Sequence, residues 1–490
     1  MNDSTRCHNA TPEPVDGSDV AVSAFGADVM AMLPFEPNSD QVTMIAAFAH
    51  FLARGGDRAA FLLNGYAGTG KTSVAGAIVR TLTMRGQKTV LLAPTGRAAQ
   101  VFSEYSGHPA YTIHRKIYRQ NGYLDNGFSL AENKHANTVF IVDEASMISN
   151  SQGFEGASFG SGRLLDDLVR YVYADPASGC RLMLMGDSAQ LPPVGQTESP
   201  ALSAQVLAGY GLRVYDIWLT QIARQAAQSG ILYNATTVRR MLTTAQMAPP
   251  ELQLTGFDDV EAVTGEFLLE KISDCYDSCG LDDTIIVTRS NRRAKLFNGA
   301  VRNQILYRDD ELVNGDMLLV AKNNYFWAAD YKEIDFIANG DVACVKRVWG
   351  DVEERYGLRF AQVTLEFPDH GGVEVEAKII LDSLMSDTPA LTREQNERMY
   401  NELMQELQGD KRTRYRALKA NPYFNALQVK FAYAVTCHKA QGGQWSNVFV
   451  DMGSIMPDAL GTLDFMRWLY TAMTRARRHL YLINCPLATT

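Results

Sequence analysis

The stretch "GYAGTGKT" at residues 65 to 72 follows directly on the apolar run "AAFLLN". An apolar run that passes into three glycines, a lysine and a threonine needs bare backbone there, because side chains would block close approach. The spacing Gly65-x-x-x-x-Gly70-Lys71-Thr72, between a predicted strand and a predicted helix, is that of the phosphate-cradling P-loop. Gly65, Gly68, Thr69, Gly70 and Ser73 belong to the backbone that would surround a triphosphate. Lys71 would bring a point charge to the β and γ phosphates, and the Thr72 hydroxyl would ligate Mg2+.

The loop sits in a repeating pattern. "AAFLLNG", "KTVLLAP", "NTVFIVDE" and "CRLMLMGD" are short runs of the kind buried on both faces, and they alternate with helical stretches. That pattern predicts an α/β core, a parallel sheet covered by helices. "DDTIIVTRS", "KFAYAVTCHKAQG", "WSNVFVD" and "RHLYLINC" predict a second core of the same kind. Between its two parts, residues 316–424 change to period-two alternation around "PDHGG", which predicts an inserted antiparallel barrel or sheet. A helix with a Thr392/Gln395 capping box and an apolar face of Met399, Tyr400, Leu403, Met404 and Leu407 follows it. Two Asn-Gly dipeptides between residues 116 and 133 predict a protruding hairpin.

The expected organisation is a loosely ordered tail (1–37) and a first core (38–215) carrying a hairpin insertion (116–137). The second core comes in two parts (216–315 and 425–490) around the β insertion (316–424). At 490 residues the chain is long enough for such a multi-domain arrangement, and 46% hydrophobic with 21% charged residues is ordinary for a globular protein. A net charge of −9 argues against binding nucleic acid through bulk positive charge, so any such site must be local. Seven scattered cysteines without a CxxC pair predict free thiols in a reducing cytoplasm, and Cys275 with Cys279 lacks partners for a zinc set. The apolar run at 20–34 is too short to span a bilayer and lacks a basic leader, so no membrane association is expected.

The strand "FIVDEAS" ends in Asp143, placed to hold the Mg2+ shell, and Glu144, placed to polarise an attacking water. Together with the P-loop this predicts a nucleotide hydrolase, and the absence of an NKxD-type guanine-reading motif favours ATP. Cys437 beside His438 mimics a nucleophile and its base, but neighbours on a strand face opposite ways, which excludes a cysteine hydrolase.

"APTGRAA" (93–99), "TIHR" (112–115), "MGDSAQLPPVG" (185–195), "LTQIARQ" (219–225), "VTCHKAQGGQW" (435–445) and "YTAMTRAR" (470–477) occur in a characteristic order. In them the chain resembles the superfamily 1 DNA helicases of the RecD/Dda type, over about residues 38 to 485. The resemblance implies two RecA-like motor cores with a hairpin insertion and an SH3-like β insertion, an ATP- and Mg2+-dependent motor, and 5′ to 3′ movement on single-stranded DNA with unwinding of duplex DNA. It implies an adenine-reading role for Gln41 and a γ-phosphate sensor in Gln190, with Asp187 the acidic member of that loop. Arg224 and Arg475 would be arginine fingers, and Gln441 with Gly442 would lie at the ATP cleft. Pro94, Thr95, Thr112, His114, Thr436, His438 and Lys439 would contact the strand. Trp445 has two readings, a stacking surface or core. In the hairpin, Tyr123 or Phe128 would supply a strand-separating pin that the SH3-like insertion braces. A functional monomer without intrinsic nuclease is expected. Rival readings are an RNA helicase, a translocase that does not unwind, and a nucleotide-switched binding protein.

Overall fold

The computed structural model describes residues 18–56, 58–120, 128–151, 159–222, 228–331, 333–334, 336–453 and 455–487. A six-stranded, all-parallel sheet runs in the spatial order Ala110–Thr112, Lys88–Ala93, Thr138–Val142, Arg181–Gly186, Ala59–Gly65, Arg213–Leu219. The strand Ala59–Gly65 shows why its sequence lacks polar alternation. Phe61 and Leu63 enter one core with Phe48 and Ile78, while Ala60 and Leu62 enter the other with Leu165, Leu168 and Val172. Both faces are buried, so its side chains are apolar apart from Asn64, whose amide donates to Asp216 at 3.3 Å.

The second sheet, also all-parallel, has the order Ala434–Thr436, Thr284–Thr288, Trp445–Asp451, Ala476–Ile483, Val260–Val263. Between its parts lies a closed five-stranded barrel of Met317–Val320, Val342–Arg355, Leu358–Phe367, Val373–Ile380 and Leu427–Phe431. The fold is therefore two α/β lobes with a barrel inserted in the second. The helices Arg393–Glu406 and Lys411–Lys419 pack on one end of the barrel through Met399, Leu403 and Leu418. The Thr392/Gln395 capping box is formed, while Tyr400 is exposed and contributes nothing to that apolar face.

Three expected boundaries move. Helix Ser18–Ala31 is part of the first lobe and not a loose tail: Val22, Phe25 and Val29 recur one turn apart and are buried beside Phe48. The strand Arg213–Leu219 completes the first sheet, pairing Gly65 with Leu219, so that lobe passes 215. The barrel's closing strand Leu427–Phe431 lies beyond 424, because its neighbours Met317–Val320 and Val373–Ile380 need it for closure.

Asp316 fixes the barrel to the second lobe. Its buried carboxylate accepts from Arg302 Nε (3.1 Å), Arg308 Nη1 (2.8 Å) and the Tyr433 hydroxyl (2.9 Å). Removing one partner from such a buried charge set costs on the order of 3–5 kcal/mol.

Candidate nucleotide cleft and strand channel

The P-loop leaves the sheet at the C-terminal end of its Ala59–Gly65 strand, where a parallel sheet presents its ligand crevice. Gly68 and Gly70 have φ of +75° and +79°, a conformation that favours glycine. A Cβ on Gly65 would stand 2.7 Å from Lys71 Cγ, so the first glycine makes room for the lysine stem. Helix Lys71–Met84 starts at Gly70 without a side-chain cap, which leaves its first N–H groups for an anion. The Lys71 ammonium donates to the carbonyls of Gly65 and Tyr66.

Gly68, Gly70, Lys71, Thr72, Ser73, Asp143, Glu144, Asp187, Gln190, Gly442 and Arg475 line one cleft of about 440 Å3. Its walls come from both lobes. Asp143 is buried and accepts from the Glu144 N–H at 2.8 Å. Burial, and then the Glu144 charge, pushes its carboxyl up to about 7, with Lys71 pulling the other way. Thr72 and Asp143 suit Mg2+: a hydroxyl and a carboxylate supply two hard oxygen ligands, and this ion takes the rest from phosphates and water. The ion would neutralise phosphate charge there.

Glu144 holds a left-handed backbone, φ 50°, at the strand end. Facing it from the other lobe, Arg475 Nη1 stands 3.9 Å from Glu144 Oε1. That guanidinium is 2% exposed and is aimed by the Thr471 carbonyl (3.1 Å), the Gly443 carbonyl (3.3 Å) and Thr474 Oγ1 (3.2 Å). Gln190 Oε1 is buried and has no hydrogen-bond partner among the described residues.

Tyr470 and Arg239 contribute here without having been singled out by sequence. The Tyr470 hydroxyl donates to Asp187 Oδ2 at 2.6 Å and accepts the Ala67 N–H at 2.9 Å, binding the second lobe to the P-loop and the Asp187 loop. Arg239 places its guanidinium 4.4 Å from the Tyr66 ring centre. Tyr470 lies inside the quoted "YTAMTRAR" motif, whereas no local pattern marks Arg239.

Two residues expected at the nucleotide lie outside this lining. Gln41 is buried, and its amide serves the protein: Oε1 accepts the Asn38 N–H in a capping box, and Nε2 donates to the Thr69 carbonyl at 3.0 Å. It stands against Thr69 and Gly70 of the P-loop, outside the cleft lining. Gln441 also lies outside that lining and donates to the Leu191 carbonyl at 2.8 Å. Its neighbour Gly442, φ +77°, does reach the cleft, and a Cβ there would stand 2.9 Å from Ala98 Cβ on the first lobe. Thr69 is fully buried, with its hydroxyl on the Tyr66 carbonyl. Arg224 and Tyr123 lie outside the described residues.

A second cleft, about 520 Å3, brings together Thr95, Arg97, Asn339, His438, Lys439, Gln441 and Trp445. Thr95 caps helix Gly96–Ser106 and Lys439 donates to Asn339 at the barrel's edge. Trp445 is half-buried in this wall, with the Arg97 guanidinium 5.8 Å from its ring centre. Thr112 and His114 stand apart. Thr112 caps a short turn through the Arg115 N–H and lines a smaller cavity with His370. His114 packs edge-on against Phe159 at 4.9 Å, and burial lowers its imidazole to about 4, so it is neutral. Pro94 and Thr436 are half-buried and line none of these cavities, and Thr436 makes no capping bond. Cys437 is buried, its thiol pushed up to about 12 by burial, an inert core group.

The hairpin pairs Tyr118–Gln120 with Phe128–Leu130. Phe128 pairs with Gln120 on the rung nearest the turn, and its ring packs 4.8 Å from Phe159 and 4.4 Å from Tyr325 of the barrel insertion. Tyr325 continues to Phe336 at 5.2 Å, so an aromatic chain joins hairpin and barrel.

Among the described residues no helix is long and apolar enough to cross a membrane. Residues 37–240 match the model of an AAA domain, and residues 431–483 that of a UvrD-like helicase C-terminal domain. The chain is 33% identical over 175 residues to the ATP-dependent RecD2 DNA helicase of Deinococcus radiodurans, covering 36% of this chain and 21% of that one. To the ATP-dependent DNA helicase dda of Enterobacteria phage T4 it is 25% identical over 264 residues, 53% and 55% of the two chains. The chain thus spans about a fifth and about half the length of these relatives. A Pif1 helicase structure from Bacteroides with ADP-AlF3 and single-stranded DNA aligns with a TM-score of 0.45 at 14% identity, covering 92% of this chain and 93% of that one. With the P-loop, the acidic strand end and the later motifs gathered on facing lobes, the chain is similar over these segments to the superfamily 1 helicases of the RecD/Dda type.

Proposed function

We propose that this chain is an ATP- and Mg2+-dependent DNA helicase that moves 5′ to 3′ on single-stranded DNA as a monomer in the cytoplasm. The observation that carries the reading is Arg475 of the second lobe facing Glu144 of the first across the 440 Å3 cleft. A triphosphate placed on the P-loop presents its γ-phosphoryl between these residues. Lys71 neutralises the phosphate oxygens, Glu144 polarises the attacking water, and Arg475 stabilises the charge that spreads over the transferring group. Because Arg475 belongs to the opposite lobe, its attraction to the γ-phosphate favours the closed arrangement, and loss of that phosphate releases it.

The strand channel lies beside the same seam. Thr95 belongs to the first lobe, Lys439 and His438 to the second, and Gln441 contacts Leu191 just past the Gln190 loop. Opening and closing therefore changes the spacing of phosphate contacts along one strand. The test is ATP hydrolysis with and without single-stranded DNA or RNA, followed by separation of duplexes bearing a 5′ or a 3′ tail. The reading expects stimulation by DNA and separation from the 5′ tail; hydrolysis indifferent to any strand defeats it.

A further inference from the structure

The chain is acidic overall at −9, yet residues 407–426 carry five cations, Lys411, Arg412, Arg414, Arg416 and Lys419, against one acid, Asp410. All five lie in the nine-residue helix Lys411–Lys419, whose N-cap is Asp410. At about 100° per residue, Lys411, Arg412, Tyr415, Arg416 and Lys419 fall within an arc of about 140°. Leu418 falls outside it and is buried against Leu403 and Phe360. Lys411, Arg412, Tyr415 and Arg416 are exposed. The preceding helix is built differently, for there Arg393 is paired with Glu397 and Arg398 with Glu402, each one turn along. Among the described residues no such ion pair engages Lys411, Arg412 or Arg416. Concentrating unpaired like charge on one short helix costs stability. A polyanion seated on it reverses that cost.

We propose that the exposed face of helix Lys411–Lys419 is a docking surface for the phosphate backbone of duplex DNA, separate from the strand channel. The separation follows from the barrel. Strand Leu358–Phe367 starts under this helix, where Leu358 and Phe360 pack with Leu418, and ends at Pro368–His370, where Asp369 meets Arg97 of the first lobe. Ten strand residues place the two ends about 30 Å apart. The form of the surface selects a duplex. A single strand is held in grooves with open aromatic faces. Here the cations stand on an exposed helix face, and one face of the Tyr415 ring is taken by the Lys419 ammonium 4.5 Å from its centre. Along the roughly 13 Å of a nine-residue helix, a duplex presents about eight phosphate charges. The surface would hold the double-stranded part of a tailed substrate, a role that rests on the helicase reading; the binding itself does not.

The test uses the full chain, wild type and K411Q/R412Q/R416Q, titrated with a blunt duplex and a single strand over a range of KCl without ATP. The expected result is at least a tenfold loss of duplex affinity and a log–log salt slope shallower by about 2 to 3, close to 0.9 per lost contact. Single-strand affinity and strand-stimulated hydrolysis should stay within twofold. R412K/R416K keeps the charge and should keep duplex affinity, separating charge from helix integrity. Unchanged duplex affinity and slope in the glutamine variant overturn the proposal. So does an equal loss for single strand and duplex, or wild-type binding to anionic vesicles that outcompetes the duplex. If no strand stimulates hydrolysis, the helicase reading fails while the duplex titration still decides this proposal.

Discussion

The Tyr470 hydroxyl, on the second lobe, donates 2.6 Å to Asp187 Oδ2 on the first and accepts the Ala67 N–H of the P-loop at 2.9 Å. One phenol therefore joins the P-loop, the Asp187 loop and the opposite lobe. Next to it, Leu191 is held from the same side, its N–H by Thr471 Oγ1 at 2.8 Å and its carbonyl by Gln441.

Tyr470→Phe removes the hydroxyl and leaves the fully buried Asp187 carboxylate short of a donor. A hydrogen bond to a buried charge is worth roughly 1.5–3 kcal/mol, so the variant should melt several degrees lower. Nucleotide binding should survive, since the P-loop amides and Lys71 remain. Stimulation of hydrolysis by single-stranded DNA should fall at least tenfold, measured against binding of a non-hydrolysable ATP analogue.

Arg475→Ala tests the cleft itself. A lost arginine finger costs on the order of 10³–10⁵ in kcat, and the Nη1 contact 3.9 Å from Glu144 is the one described approach of a second-lobe cation to that carboxylate. The variant should bind ATP with affinity close to wild type and turn it over at background rate. Lys71→Ala should lose both binding and turnover. A nucleotide-switched binding protein would instead keep DNA affinity responsive to ATP in the arginine variant, which a filter-binding titration reads directly.

How much of this was legible in the sequence depended on how local each signal was. The P-loop, Asp143 and Glu144 are contiguous motifs at strand ends, and chain order alone implies that they share a crevice. The two sheets were readable because strands such as Ala59–Gly65 are buried on both faces and so carry uninterrupted apolar runs. Gln41 illustrates the limit. A glutamine in the first turn of a helix fits a capping box as well as a base-reading amide, and the Asn38 and Thr69 contacts that its amide makes depend on chain folding. Arg239 over Tyr66 was invisible for the same reason, since the two are distant in sequence and meet only when the lobes face each other. In helix Ser18–Ala31 the exposed side also carries apolar Ala24, Ala27 and Met30, so the turn-spaced Val22, Phe25 and Val29 do not stand out from it as a buried face.

The aromatic chain Phe128–Tyr325–Phe336 predicts a variant that separates movement from strand separation. Tyr325→Ala removes the ring that couples hairpin to barrel, where aromatic pairs contribute about 0.5–1.5 kcal/mol each beyond their burial. Tyr325 touches neither the 440 Å3 cleft nor the 520 Å3 cleft. Strand-stimulated hydrolysis should therefore stay within about twofold. Unwinding of a 5′-tailed duplex should fall at least tenfold, since a hairpin free to swing cannot hold the junction. Equal loss of both activities would mean that the chain of rings supports the motor and not a pin.

Asp143 gives the pH-dependent prediction. Burial and the Glu144 charge raise its carboxyl to about 7, well above an ordinary carboxylate. Between the unfolded value and about 7 the folded chain keeps a proton that the unfolded chain has released, so stability falls as pH rises through that window. Asp143→Asn keeps an acceptor for the Glu144 N–H at 2.8 Å and removes the titration. The variant should melt several degrees above wild type at about pH 8 in the absence of nucleotide and divalent cation, the gap closing toward about pH 4. Hydrolysis should be lost at every pH, because a neutral amide cannot replace the carboxylate ligand for Mg2+. A melting gap that does not change with pH would place the proton elsewhere.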